Sequence, residues 1–334
     1  MMSDKLRFAV LGCGHIGTRH INSIRAHKGC ELVALCDTKP LQTAIAETSI
    51  PFFDNDDDLF NENFDVLCVA TPNGLHEQHA LKGLKQQRHV LIEKPMSLTA
   101  ASCQRIIEEA KKQKREVFCV MQNRYSAPSK WLKELMQSKI LGDVFFVTVN
   151  CFWNRDNRYY KKESWRGSKD LDGGTLFTQF SHFIDSLLWL FGDIENITTR
   201  FQNFSHRQVI DFEDSGSIQF NFQNGAIGNF NYTTSVPDEN MESNITVIAE
   251  KGVVKISGQY MDRLEVCKIP GGQVPLFAKQ DRPSPQQMME TNYSFLFDNI
   301  VCVLKYNGQK DIDPLEAYKV VAIIEKIYSG KKVI

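Results

Sequence analysis

VLGCGHIGTRH, residues Val10–His20, decides how the first third of this chain folds. Its glycines, Gly12, Gly14 and Gly17, follow the apolar run LRFAVL and open a stretch of helical character. In a GxGxxG turn between a strand and a helix, the first glycine permits the tight turn and the second lets backbone approach a pyrophosphate. The third allows close helix packing, and the positive end of the helix dipole favours the phosphates. The triplet alone is a weak signal, because glycine-rich turns are common. Its context is stronger: the next apolar run ends in LCDTK, which puts Asp37 twenty residues beyond Gly17, where a carboxylate binds adenosine ribose hydroxyls. A carboxylate there repels a 2′-phosphate, so NAD is favoured over NADP, with Lys39 nearby as the one opposing feature.

Outward from this stretch, residues 6 to 122 alternate short apolar runs (LRFAVLG, CELVALCD, DVLCVAT, HVLIEKP, EVFCVMQ) with mixed segments that predict helices over 16–28, 41–47, 75–87 and 99–114. Near-continuous apolar strands alternating with helices imply a parallel sheet covered on both faces. After Gln122 the rhythm changes. A predicted helix over 129–138 leads to DVFFVTVNCFW, a basic aromatic loop, and the apolar segment GGTLFTQFSHFIDSLLWLFG at 173–192. From Ile197 strand follows strand through QNG and EKG turns, the pattern of an antiparallel sheet with one covered face. Gly271 and Pro283–Pro285 mark loops, and an amphipathic helix over about 313–329 closes the chain. The expected fold class is α/β. A Rossmann doubly wound parallel sheet takes residues 1–123, and an α+β domain with a large, mostly antiparallel open sheet takes 124–334, its last helix packing back on the first domain. The open face, read as rich in Phe and Ile, is the expected surface for a homodimer or homotetramer.

A net charge of −1 over 334 residues argues against broad nucleic-acid or membrane-surface binding. Nine cysteines form no CxxC pair and several sit in apolar strand-like runs, so they read as reduced small hydrophobes in a cytoplasmic protein without a zinc site. The opening MMSDKLRFAVLGCGHIG lacks a basic region followed by a long apolar run, and no window reaches a membrane-spanning length.

Ligands of open α/β sheets lie at the carboxyl ends of the strands. VATPNGLH puts Thr71, Pro72 and Asn73 at one such end with His76 a turn into the next helix, and LIEKP puts Glu93, Lys94 and Pro95 at another. Glu93 and Lys94 read equally as a surface ion pair or as a lysine beside a nicotinamide. Within 173–192, Leu176, Phe180, Phe183, Leu187 and Leu190 share one helical face, and Thr178, His182 and Asp185 the opposite one. A water-facing strip usually carries Lys and Glu; here Asp185 is the single charge, so the helix reads as presenting His182 to a polar ligand. From Arg155 to Lys169 six basic residues stand against two acidic ones, interleaved with Tyr159, Tyr160 and Trp165. Arginine and lysine suit a pyrophosphate and a carboxylate, and aromatic rings stack on a uracil; a solvated basic loop is the plain alternative.

GCGHIGTRH, ATPNGLH, EKP and DGGTLFTQFSHFID together resemble the glucose-fructose oxidoreductase and inositol dehydrogenase family of NAD(P)-dependent sugar oxidoreductases, across essentially the whole chain. In that family the EKP lysine and the second-domain histidine meet beside the nicotinamide, which assigns catalysis to Lys94 and His182. The resemblance implies cofactor contacts from Gly12, Gly14, His15, Ile16, Gly17, Asp37, Thr71, Pro72, Asn73, His76, Glu93, Lys94 and Gln122. It implies substrate contacts from Arg124, Arg155, Arg158, Tyr160, Trp165, Arg166, Thr178, Gln179 and His182. VFCVMQNRYS, CFWNRDNRYYKKESWRGSK and LDGGTLFTQFSHFID look most like the subgroup that oxidises C3 of UDP-N-acetylglucosamine uronic acid in bacterial surface polysaccharide synthesis. There the partner is a nucleotide sugar, and 2-oxoglutarate is a candidate oxidant for recycling the cofactor. One position departs: inositol dehydrogenase-like members are acidic one turn before the histidine, where this chain has Thr178, so Asp185, one turn later, is left either to orient His182 or to brace the helix. Oxidation of a free polyol or aldose, and a non-catalytic NAD-binding regulator, are the alternatives.

Overall fold

The computed structural model describes residues 5–39, 49–161, 164–272, 275, 277 and 284–330. The helix expected over 41–47, together with Lys162, Glu163 and Pro283, lies outside them. The chain divides into two compact units, Met1–Val120 with Glu290–Val321, and Met121–Met289 with Ala322–Ile334.

In the first unit β1 (Leu6–Leu11), α1 (His15–Ala26), β2 (Cys30–Cys36), β3 (Phe52–Phe53), α2 (Asp56–Leu59), β4 (Val66–Val69), α3 (His76–Lys85), β5 (His89–Ile92), α4 (Ala100–Gln113) and β6 (Val117–Cys119) follow in order. The strands form one sheet in the order β3-β2-β1-β4-β5-β6, every pair parallel. This is the doubly wound arrangement expected, and its strand order reverses between β1 and β4, where such sheets bind ligands. β4 and most of β5 are buried, which is why they read as unbroken apolar runs. The two-residue β3 adds an edge strand that no apolar run announced.

The second unit contains α5 (Ala127–Ser138), β7 (Val144–Phe152), α6 (Thr175–Thr178), α7 (Ser181–Phe191), β8 (Ile194–Gln202), β9 (Ser215–Phe222), β10 (Ile227–Thr233), β11 (Glu242–Ala249), β12 (Gly252–Ser257) and β13 (Arg263–Lys268). Its sheet runs β13-β12-β11-β7-β10-β9-β8, antiparallel except for the β7–β10 pair. One face is closed by an aromatic cluster in which Phe180 packs on Trp153, Phe230 and Tyr232. The other face differs from expectation. Strand alternation turns Ile218, Phe220, Phe222 and Phe230 inward. The open side of the central strands is left with a polar ladder: Thr148 donates to Asn229, Asn231 to Asn150, and Ser217 to Asn231. Its apolar part is a cross-strand row of Ile227, Phe146 and Ile248.

The segment 173–192 is also not one helix. Helix α6 ends at Thr178, Phe180 sits at φ −119°, ψ 6°, and α7 starts afresh at Ser181. From Ser181 to Leu187 every residue is buried, so α7 has no water-facing side there.

After β13 come α8 (Pro285–Tyr306) and α9 (Pro314–Ser329). Periodicity did not announce α8, yet its start is a capping box: Ser284 Oγ accepts the Gln287 N–H and Gln287 Oε1 accepts the Ser284 N–H. Within the first unit this helix lays Phe297 edge-on to Phe8 at 5.5 Å and Tyr293 against His20 at 5.3 Å. Those contacts join residues 290–321 to the parallel sheet. Phe297 is fully buried, so Phe297→Ala is expected to lower the unfolding free energy by about 3–5 kcal/mol in urea titrations.

Candidate active site

At the β1–α1 turn each glycine has a separate reason. Gly12 sits at φ +93°, and a Cβ there would lie 2.6 Å from the Ala70 backbone beyond β4. A Cβ on Gly17 would lie 1.8 Å from the Gly12 carbonyl oxygen. Around Gly14 a Cβ would meet nothing within 4 Å, and α1 has neither a side-chain cap nor an acidic residue in its first turn. Open space beside uncapped helix N–H groups fits a pyrophosphate. Asp37, half-buried at the end of β2, faces this turn: its carboxylate accepts the Cys13 N–H at 2.7 Å and the Lys39 N–H at 2.9 Å. Gly12, Gly14, Gly17 and Asp37 thus fit the dinucleotide, while the exposed His15 side chain pairs with Arg19 and Ile16 is half-buried behind it.

Across the turn, Thr71 Oγ1 meets His79 at 3.0 Å, and Asn73, buried, opens a 3-10 turn that leads into α3. His76 is buried with Nδ1 2.7 Å from the Pro95 carbonyl and Nε2 2.9 Å from the Thr71 carbonyl, tying the TPN loop to the EKP turn. Burial pushes its pKa down, against those carbonyls and Glu93. Glu93 is no surface partner of Lys94. It is buried, receives His20 Nε2 and the Tyr293 hydroxyl at 2.8 Å each, and accepts the Lys94 backbone N–H. Burial works against its charge, but the His20 bond and charge, Tyr293 and Lys94 hold its carboxyl down at about 2. Lys94, half-buried, therefore stands on a turn braced from α1, α3 and α8.

In the second unit, α7 packs on the 3-10 turn Gln122–Tyr125. Arg124, expected to hold an anion of the substrate, instead directs Nε and Nη2 to the Asp185 carboxylate at 2.6–3.2 Å, both groups buried. Asp185 thereby braces α7. Buried polar atoms without a hydrogen-bond partner among the described residues occur where the two elements meet: Gln122 Oε1, both amide atoms of Asn123, and Ser181 Oγ beside the buried His182. Buried polar groups in folded proteins are nearly always bonded, so such a group of atoms suits a polar ligand. Asn123 and Ser181 carry no sequence signal of their own.

The basic loop is sorted by the fold. Arg155 donates from Nε to Gln179 Oε1 at 2.6 Å and stacks on Trp153 and Tyr159 at 4.7 and 5.2 Å, while Gln179 Nε2 donates to the Tyr159 hydroxyl at 2.6 Å. The Arg166 guanidinium lies 4.8 Å from the rings of both Tyr159 and Trp165. Tyr160, expected to touch substrate, is 2% exposed and packs edge-on to His206 at 5.1 Å; Tyr159 takes the place beside the arginines. Arg158 stays at the surface on Asp156. Thr178 contacts Asp172 Oδ1, and Asp172, 1% exposed, also accepts the Gly167 N–H at 2.7 Å. A buried carboxylate therefore sits beside Thr178 after all, brought by the preceding loop.

Among the described residues no group of His, Cys, Asp or Glu could hold a metal ion, and no helix is long and apolar enough to cross a membrane. Burial pushes the Cys13, Cys30 and Cys36 thiols up to about 12, which makes them unreactive.

A reversed parallel sheet with this glycine turn and acidic strand end defines a dinucleotide-binding protein, here joined to a second domain built on an open sheet. Comparison with known proteins agrees. Residues 6–121 match the oxidoreductase family with an NAD-binding Rossmann fold, and residues 130–255 match the GFO/IDH/MocA C-terminal domain. The chain belongs to the Gfo/Idh/MocA family, and its first unit is an NAD-binding Rossmann domain. It is similar to the WlbA dehydrogenase of Bordetella pertussis, crystallised with NADH and UDP-GlcNAcA: 32% identity over 98% of this chain and 96% of that one, TM-score 0.87. The WlbA dehydrogenase of Chromobacterium violaceum, with the same ligands, is 28% identical over 99% and 94%, TM-score 0.89. Among curated relatives, the D-glucoside 3-dehydrogenase of Escherichia coli is 26% identical over 58% of this chain and 56% of its own length. The chain spans about half the length of the curated relatives it matches.

Gly14→Ala is expected to leave the melting temperature unchanged and weaken NAD binding, whereas Gly17→Ala, with its Cβ against a carbonyl, should destabilise the first unit; thermal melts and NAD titrations separate the two. Glu93 supplies a second test. Its pKa is lower folded, about 2, than the ordinary 4.5, so its bonds stabilise above about pH 4.5 and are lost as pH falls toward 2. The stability gap between the natural protein and Glu93→Gln should be widest above pH 5 and narrow steadily in acid.

Proposed function

We propose that this protein is an NAD-dependent dehydrogenase that oxidises the 3-hydroxyl of a UDP-N-acetylhexosaminuronate in bacterial surface polysaccharide synthesis. The observation that carries the reading is the set of cationic and aromatic groups beside α6 and α7: Arg155 bonded to Gln179, and Arg166 between Tyr159 and Trp165. Two guanidinium groups beside stacked rings match a ligand with a pyrophosphate, a carboxylate and a base, and a free polyol offers none of these. The whole-length likeness to dehydrogenases crystallised with UDP-GlcNAcA supports the same class.

Bound NAD supplies the hydride acceptor. His182 takes the hydroxyl proton on an imidazole nitrogen as general base, and Arg124 with Asp185 holds its helix. The Lys94 ammonium stabilises the sugar oxygen as it becomes a carbonyl, its turn held by Glu93, His20 and His76. Gln122 and Asn123 offer buried amide atoms to cofactor or substrate. The row Ile227, Phe146 and Ile248 is the natural start of a homo-oligomer contact, and nine cysteines with no disulfide among them fit a reducing, cytoplasmic setting.

The test is NADH absorbance on mixing protein and NAD with UDP-N-acetylglucosaminuronic acid, UDP-N-acetylglucosamine or myo-inositol, each with and without 2-oxoglutarate, with product analysis. A uronate-dependent 3-keto sugar is expected; product from myo-inositol alone would overturn the nucleotide-sugar reading. Lys94→Ala and His182→Ala should each keep NAD affinity and lose about 10²–10⁴-fold in kcat, and undiminished turnover in both would remove the assigned roles.

A further inference from the structure

The phenol of Tyr328, in the last turn of α9, joins two groups distant from it in sequence. It donates to Glu213 Oε1 at 2.7 Å and accepts the Leu176 N–H at 3.0 Å. Glu213, 3% exposed, takes a second phenol on the same oxygen, Tyr232 at 2.8 Å, and its carbonyl accepts the Thr175 hydroxyl. Burial, and after it Glu213, pushes both phenol pKa values well above the ordinary one, so each keeps its proton and gives it to Glu213. A phenol oxygen whose proton is committed in this way still has a lone pair for one backbone donor, and Leu176, fully buried in the first turn of α6, supplies that donor. Helix α6 has no side-chain cap of its own, so Tyr328 satisfies an N–H that the helix cannot. The backbone makes room for this approach: a Cβ on Gly174, which sits at φ +135°, would lie 2.5 Å from the Tyr328 hydroxyl oxygen. The Tyr328 ring lies 5.9 Å from Phe177 and 5.6 Å from Phe201, and the Gly330 carbonyl just past α9 accepts the Thr199 hydroxyl.

The two phenols on Glu213 differ in what they reach. The Tyr232 hydroxyl ends on the carboxylate, whereas the Tyr328 hydroxyl continues to α6. From that capped turn the Gln179 N–H returns to the Thr175 carbonyl at 2.9 Å. The Gln179 side chain then accepts from the Arg155 guanidinium and donates to the Tyr159 hydroxyl, at 2.6 Å each. His182 lies beyond the break at Phe180, on a helix held separately by Arg124 and Asp185. We infer that Tyr328 is a positioning residue for substrate binding: its hydroxyl fixes α6, and α6 sets Gln179 and the Arg155 guanidinium where an anionic nucleotide sugar is held. The inference rests on the reading of Arg155 as a substrate group. Because the connection runs to Arg155 and stops short of His182, its effect belongs to affinity and leaves the chemical step alone.

The experiment compares Tyr328→Phe with Tyr232→Phe in the full chain at saturating NAD, with UDP-N-acetylglucosaminuronic acid as the varied substrate. Each variant keeps its ring and takes one phenol from Glu213, so a purely structural role would move both alike. Expected for Tyr328→Phe is a KM about 5- to 100-fold higher, the range for one buried N–H left unpaired, with kcat changed by less than about twofold. Tyr232→Phe should lose thermal stability in the same way and keep the natural KM. Equal KM in the two variants, or a Tyr328→Phe loss carried by kcat, would overturn the inference. If Tyr328→Phe folds poorly, the same substitution is made in Glu213→Gln, where an amide replaces the carboxylate that has lost a donor, and is compared with Glu213→Gln alone. Amide hydrogen exchange followed by NMR reads the cap without substrate. If the natural protein neither binds nor oxidises a nucleotide sugar, the substrate reading has failed and exchange decides the remainder. Faster exchange of the Leu176 and Gln179 amides in Tyr328→Phe alone supports the hold on α6, and equal exchange in the two variants overturns it.

Discussion

The rest of the first unit depends on one close approach. A Cβ at position 17 would lie 1.8 Å from the Gly12 carbonyl oxygen, so α1 starts almost in contact with the turn that leaves β1. That approach aims uncapped helix N–H groups along the edge where the strand order reverses, and it sets the opening beside Gly14. No side chain could be accommodated there without shifting backbone, so glycine is a steric requirement at this position.

Around this framework the molecule uses buried ionic groups as braces. Glu93 joins α1 and α8 to the EKP turn, Arg124 and Asp185 join α7 to the turn after β6, and Asp214 and His206 hold the loop that begins at Arg155. Buried ion pairs are weak sources of net stability, because desolvation offsets much of their attraction. Breaking one leaves an unpaired charge, however, so each pair discourages any arrangement in which its partners are apart. All three stand directly behind groups assigned to chemistry or binding: Lys94, His182 and Arg155. The structural duty falls to other residues: Glu93 next to Lys94, Asp185 one helical turn from His182, and His206 and Asp214, distant in sequence from Arg155.

The second unit separates inside from outside by strand alternation. Aromatic residues that look like surface in a linear reading turn inward to cover Trp153 and Phe180, and the opposite face keeps a ladder of Asn, Thr and Ser with one short apolar row. A face of that kind remains hydrated when alone and offers both hydrogen bonds and a hydrophobic patch to a second surface.

The alternation of apolar runs and helical stretches, the three glycines, and Asp37 were enough to determine the parallel sheet, its ligand-binding edge and the preference for NAD, because those features depend on spacing along the chain. Lys94 and His182 are singled out in the sequence by short local motifs, and their roles belong to the proposed function. Helix α8 was not read from the sequence, where Pro283–Pro285 marked only a loop; the Ser284–Gln287 box at its start is seen in the structure. Tertiary structure alone decided that Arg124 is neutralised by Asp185, that Tyr159 rather than Tyr160 stands beside the arginines, and that Asp172 brings a carboxylate to Thr178. It alone paired Glu93 with a tyrosine 200 positions away. These are contacts between residues distant in sequence, or choices between adjacent side chains of equal chemistry. Periodicity carries no information about either, because they are settled by which groups can be buried together with all their hydrogen bonds made.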